Sequence, residues 1–110
     1  MFIGHVDEIE KVLVGDVEKQ ILIGPQEGWS DHVMRLFTLK AGQSTPRHSH
    51  PWPHIIYVLE GEGLFFFEGE DNPIQSGSLL YVDPDSLHQL INKGEGELKF
   101  ICIVPKEGEG

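Results

Sequence analysis

Every apolar run in this chain is short. VMRLFTLK (Val33 to Lys40), HIIYVLE (His54 to Glu60), LFFFE (Leu64 to Glu68) and SLLYV (Ser78 to Val82) each stop at Gly, Pro, Asp or Asn soon after they begin, as do Leu87 to Ile91 and Leu98 to Val104. Runs of this length bounded by turn residues read as strands, because a buried helix needs a longer periodic stretch. The 13 glycines and 7 prolines fall at the spacing of an all-β sandwich or barrel. Gly61-Glu62-Gly63 predicts a hairpin between two runs. Gly69 to Pro73 predicts a turn, as do Asp83-Pro84-Asp85 and Asn92 to Gly96. Ile21 to Ile23 adds a further strand. Val6 to Val14 has a weak amphipathic spacing that Gly15 ends, so little helix is expected. Residues 1–110 read as one domain, with 1–20 an N-terminal arm or short strands and 106–110 (KEGEG) a flexible tail.

Composition removes several classes of function. Eighteen acidic and 8 basic residues leave a formal net charge of −10, and the basic residues are scattered. Such a field repels polyanions, so neither nucleic acid nor an anionic membrane is an expected partner. A single cysteine, Cys102, allows no intramolecular disulfide. The start of the chain lacks the basic and apolar regions of a secretory signal, and no run reaches the length that spans a bilayer. A cytoplasmic location is the expectation.

The last strand raises a question of cover. Leu98, Phe100, Cys102 and Val104 alternate with Lys99, Ile101 and Ile103. A strand with one solvated face should be polar on that face. Two isoleucines there call for a covering surface, either a second copy of the chain in a homodimer or the N-terminal arm.

Three histidines stand within RHSHPWPH (Arg47 to His54). A purification tag is excluded by position and by the intervening residues. A loop cluster, hydrogen-bonding core residues and metal ligands remain as readings. On an extended backbone His48 and His50 share a face. Pro51-Trp52-Pro53 then bends or stiffens the chain and returns His54 toward them. Three imidazoles around one point suit a first-row divalent ion. A fourth ligand would come from a neighbouring strand. His88, at the start of a strand after a Pro-containing turn, is the best candidate, ahead of His5 in the arm and His32 in a loop.

These residues resemble the two motifs of the cupins. Gly42, five residues, His48-Ser49-His50, three residues, His54, six residues and Gly61 resemble the first motif, with His54 where the family usually has Glu. Gly77, Pro84, His88 and Asn92 resemble the second. Pro84 lies one residue late, Ser86 replaces a Gly, and the span from Gly to His is kept. The motifs cover about half the chain. The resemblance implies an antiparallel jelly-roll β-barrel with one metal held by His48, His50, His54 and His88. More narrowly, it looks like the small single-domain, four-histidine cupins. Manganese is therefore the expected metal and iron the next, with zinc, nickel or copper also accepted by imidazole.

Replacing the carboxylate by His54 leaves an M²⁺ site at +2 rather than +1, which favours anionic ligands. Arg35 shares parity with Val33, Phe37 and Leu39. It is either an inward clamp for a substrate carboxylate or an outward residue at a dimer seam. Phe37, Phe100 and Cys102 are further pocket candidates, and Trp52 and Tyr57 candidates for its mouth; Cys102 reads as a buried, inert thiol. Glu60 lies about 20 Å along the strand from His54, too far to serve the metal. With no charged dyad, isomerase or epimerase chemistry is disfavoured. The expected function is oxygenase-like chemistry on a small organic substrate at a metal with open positions. A non-catalytic binding module and a structural zinc site are the alternatives.

Overall fold

The computed structural model describes residues 1–109. Among them the chain forms nine strands in two antiparallel sheets, an all-β jelly roll with only short 3₁₀ turns as helix. The strands are β1 (Val12–Val14), β2 (Val17–Ile23), β3 (His32–Leu39), β4 (His54–Glu60), β5 (Glu62–Phe67), β6 (Glu70–Gln75), β7 (Leu79–Val82), β8 (His88–Ile91) and β9 (Leu98–Pro105). The larger sheet has the order β1-β2-β3-β9-β4-β7 and the smaller one β6-β5-β8. No helix among the described residues is long and apolar enough to cross a membrane.

Period-two alternation explains the core. Leu98, Phe100, Cys102 and Val104 are buried along β9, while Lys99, Ile101 and Ile103 are half-buried on the other face. β9 lies between β3 and β4, pairing Cys102 with Arg35 on one side and with Ile56 on the other. Val33, Phe37, Leu39, Ile56 and Val58 thus join the same inner face. Phe65, Ile74 and Leu90 of the smaller sheet close over it in one cluster. Burial of such side chains contributes about 1.5–3 kcal/mol each before the entropy of ordering them is counted.

The turns differ from expectation at two places. Gly61 to Gly63 is not a hairpin, because β4 and β5 belong to different sheets. The chain passes between sheets there, with Gly61 at φ 89°. A side chain at Gly61 would run into the Glu97 carbonyl, so both backbone angle and space require glycine. The second turn shrinks to Glu68-Gly69, at φ 47° and 91°, which joins the paired residues Phe67 and Glu70. Two positive φ values suit the right-handed twist of a two-residue hairpin. Asp71 to Pro73 belong to β6, where an edge strand tolerates the proline's missing donor.

The arm, at Val6 and Ile9, and the tail, at Lys106, are both bonded to the barrel. Gln20 Nε2 donates to the carbonyls of Val6 and Ile9, at 2.9 Å each, and pins the arm. The tail turns back at Lys106–Gly108, and the Lys106 N–H donates to the Asp31 carbonyl at 2.9 Å. Gly110 lies outside the described residues. Buried Asn92 donates to the Leu39 and Gly96 carbonyls at 2.9 and 2.8 Å, and accepts from the Gly94 N–H at 2.9 Å. It thereby satisfies the backbone of the β8–β9 connection, which the smaller sheet would otherwise leave unpaired.

Gly61→Ala is expected to destabilise the protein by about 2 kcal/mol or more, read as a lower urea midpoint. An unchanged midpoint would show that the crossing between sheets relaxes freely.

Candidate metal centre

Four histidine rings gather at one end of the barrel through three local devices. Residues 42–48 run beside β8, where Thr45 N–H donates to the Leu90 carbonyl at 2.9 Å. His48 and His88 then form an antiparallel bridge, exchanging N–H···O bonds of 3.2 and 3.0 Å. The Asp85 N–H holds the His50 carbonyl at 2.7 Å. Beyond His50, the proline-flanked Trp52 stacks on the His50 ring at 5.0 Å, and His54 opens β4.

One nitrogen from each of His48, His50 and His88 can be chosen so that all three lie within 4.8 Å of one another. His54 stands beside this trio, its ring stacked on His50 with centroids 4.2 Å apart and its Nε2 3.3 Å from His50 Nδ1. His54 and His88 are buried, His50 is half-buried and His48 is exposed, so the cluster opens outward past His48.

The hydrogen bonds orient the rings. The Ser86 carbonyl, 2.9 Å from His88 Nδ1, can only accept, so His88 carries its proton there and presents Nε2. His50 Nδ1 lies 3.4 Å from the Trp52 carbonyl, and its Nε2 is buried without a partner. A buried, unpaired imidazole nitrogen costs free energy unless a ligand completes it, and a divalent cation does so. Cys102 Sγ lies 3.1 Å from His54 Nδ1 and accepts from Arg35 Nη2 at 3.1 Å. His54 is thus held between Cys102, through Nδ1, and His50, through Nε2.

Burial sets the charge state. It lowers the pKa of His48 and of His50, with the neighbouring imidazoles adding to the effect. His54 is pushed down to about 3, first by burial and then by His50 and Arg35. These imidazoles are therefore held neutral, the form that binds metal. Burial pushes the Cys102 thiol up, against the nearby Arg35, so it stays protonated.

The cluster forms part of the wall of a cavity of about 350 Å³. Arg35, Phe37, Trp52, Phe100 and Cys102 line it with the four histidines. Arg35 is the inward guanidinium, 5.0 Å over the Phe37 ring. Tyr57 stands elsewhere: strand alternation sends His54, Ile56 and Val58 inward and leaves Tyr57 on the outer face, 47% exposed. Two further charged residues reach the cavity, Lys19 and Glu109. Lys19 shares parity with Val17 on β2, a strand only partly visible in the sequence. Glu109 arrives through the returning tail, for which no local pattern exists.

Sequence comparison places the chain in a family. Residues 35–104 match the cupin domain, and the chain belongs to the cupin family. It is 32% identical over 94 residues to an oxalate-binding protein of Thermotoga maritima, covering 82% of this chain and 76% of that one. A Thermotoga maritima crystal structure described as a predicted oxalate decarboxylase superposes with TM-score 0.86 at 25% identity, covering 94% of this chain and 98% of that one. The polyketide cyclase RemF from Streptomyces resistomycificus superposes with TM-score 0.89 at 23% identity, covering 96% and 79%, and shares the fold.

The depressed His54 pKa predicts a pH effect on the metal-free protein. The unfolded chain takes up a proton near 6.5 that folded His54 refuses until about 3. Stability contributed by neutral His54 is present above 6.5 and declines as pH falls through that window. Thermal unfolding of wild type and His54→Phe across this range should show the variant losing less stability on acidification. Parallel curves would remove His54 as a source of the slope.

Proposed function

We propose that this chain holds one divalent transition metal, manganese first and iron next, at His48, His50, His54 and His88, and acts on a small organic molecule by oxygenase-like chemistry. The observation that carries the reading is the clustering of three imidazoles, His48, His50 and His88, on the wall of a cavity large enough for a small substrate; one of them, His50, keeps a buried, unpartnered Nε2. His54, in ring contact with His50, is the proposed fourth ligand. A bound divalent ion would supply Lewis acidity and, as manganese or iron, access to dioxygen.

The chain's own residues would do the rest. Phe37 and Phe100, stacked with centroids 5.2 Å apart, give the cavity an apolar wall that limits water. Arg35 offers a fixed positive charge to orient a substrate. Cys102 holds the His54 ring in place through Nδ1. A second reading, a non-catalytic binding module, is favoured by one observation. The carboxylate in the cavity, Glu109, is tied to Lys19 and Arg35 and is not free as a general base.

Metal content and dioxygen uptake test the proposal. Near-stoichiometric manganese or iron is expected in wild type, with at least about a tenfold loss of metal affinity in His50→Ala and a folded barrel by circular dichroism. His54→Glu should retain a divalent ion, since a carboxylate replaces one imidazole. Unchanged metal in His50→Ala would sink the ligand assignment. Metal-loaded protein that consumes no dioxygen across a broad panel of small molecules would favour the binding module.

We also propose a second copy of the chain as cover for the outer face of the larger sheet. There Ile55, Tyr57, Leu79 and Tyr81 are exposed beside half-buried Ile101 and Ile103. Sedimentation should read a dimer that Tyr81→Asp weakens; a wild-type monomer at micromolar concentration would overturn it.

A further inference from the structure

The cavity holds two cations and one carboxylate. Arg35 is 8% exposed at its side chain, Lys19 13% and Glu109 18%. Glu109 places Oε2 2.5 Å from Lys19 Nζ and Oε1 3.4 Å from Arg35 Nη1. Arg35 reaches Cys102 Sγ through Nη2, and its Nε is buried with no partner. The guanidinium thus retains unused donor capacity. Two buried cations would be costly to leave unpaired, and one carboxylate balances only half of their charge. The chain is acidic overall, so placing Arg35 and Lys19 together inside the barrel sets the cavity apart from its surface.

The carboxylate comes from the returning tail. The turn at Lys106–Gly108 ends over Trp52, where a Cβ on Gly108 would stand 2.6 Å from Trp52 Nε1. Glycine lets the backbone lie against the indole and carry Glu109 over the mouth. Glu109 is joined to the barrel by its ion pairs, while its N–H bond to the Lys106 carbonyl, at 3.2 Å, closes the turn itself. No residue of Lys106–Gly108 is buried, and segments with few buried apolar contacts open locally more readily than the core.

We propose that Arg35 and Lys19 form the carboxylate-recognition subsite of the cavity, and that Glu109 occupies it as an internal stand-in which a small carboxylate ligand displaces. The inference rests on the ligand-binding role proposed for this cavity and names its substrate class, small organic acids. The donors that face Glu109, Arg35 Nη1 and the Lys19 ammonium, are those a ligand carboxylate would inherit on displacing it. Glu109 keeps the cations paired when no ligand is present. A ligand must then compete with it, so apparent affinity is lowered in proportion as few molecules have the tail displaced.

The test is a calorimetric titration of metal-free protein with oxalate, with neutral oxamide as control. Metal-free protein separates this subsite from any chelation. Glu109→Gln, which keeps the shape and removes the charge, should bind oxalate about tenfold or more tightly than wild type. Arg35→Gln should abolish binding in both backgrounds, and oxamide should bind to none of them. Should Arg35→Gln fail to fold, Lys19→Met reads the same cation pair and should weaken binding. Oxalate binding that is equal or weaker in Glu109→Gln, that survives loss of the cations, or that is missing from wild type and Glu109→Gln alike overturns the proposal. Failure of the protein to take up metal, with the oxalate titrations as expected, would remove the metal-centred function and leave this subsite standing.

Discussion

The pairing of β9 between β3 and β4 is the constraint on which the rest depends. A strand offers two edges and two faces, and β9 uses all four. Its edges fix Arg35 and Ile56 on either side of Cys102. Its inner face supplies Leu98, Phe100, Cys102 and Val104 to the core and cavity wall. Because side chains alternate with period two, a slip of one residue would send Cys102 outward and bring Ile101 and Ile103 in. The same register places Phe37 opposite Phe100, where the two rings stack. From the end of this strand the tail turns back to the cavity.

Electrostatics divides the molecule into an acidic exterior and a cationic interior. Burial keeps imidazoles neutral that would otherwise repel one another within ring contact. Arg35 lies close enough to add to that depression for His48, His50 and His54. Cys102 links the two halves of the site, in contact with both the His54 ring and the Arg35 guanidinium. The proposed metal ligands and the proposed anion-binding groups therefore meet at one side chain, Cys102.

Particular residues show how far the sequence could be read. The strands from His54 to Glu60 and from Leu98 onward are legible because short apolar runs there end at glycine or proline. The crossing at Gly61 was not, since glycine serves a hairpin and a passage between sheets equally well; only the partner strands distinguish them. The Glu68-Gly69 turn shows the same limit, because Asp71, Asn72 and Pro73 are turn formers that an edge strand accepts. Tyr57 belongs to an apolar strand both of whose faces carry large side chains, so composition did not reveal which face met the cavity.

By itself, the sequence determined the strand rhythm, the alternation along β9 and the local set of three histidines, because each depends on spacing within a few bonds. It also placed His88 in a second motif at a distance that the family resemblance made meaningful. Tertiary structure alone decided that His48 and His88 form a bridge, that Arg35 points inward beside Cys102, and that Lys19 and Glu109 meet across 90 residues. Those contacts arise from sheet order and from a tail returning over Trp52. Neither leaves a periodic trace in the chain, because the partners are chosen by packing in three dimensions and not by their neighbours in sequence.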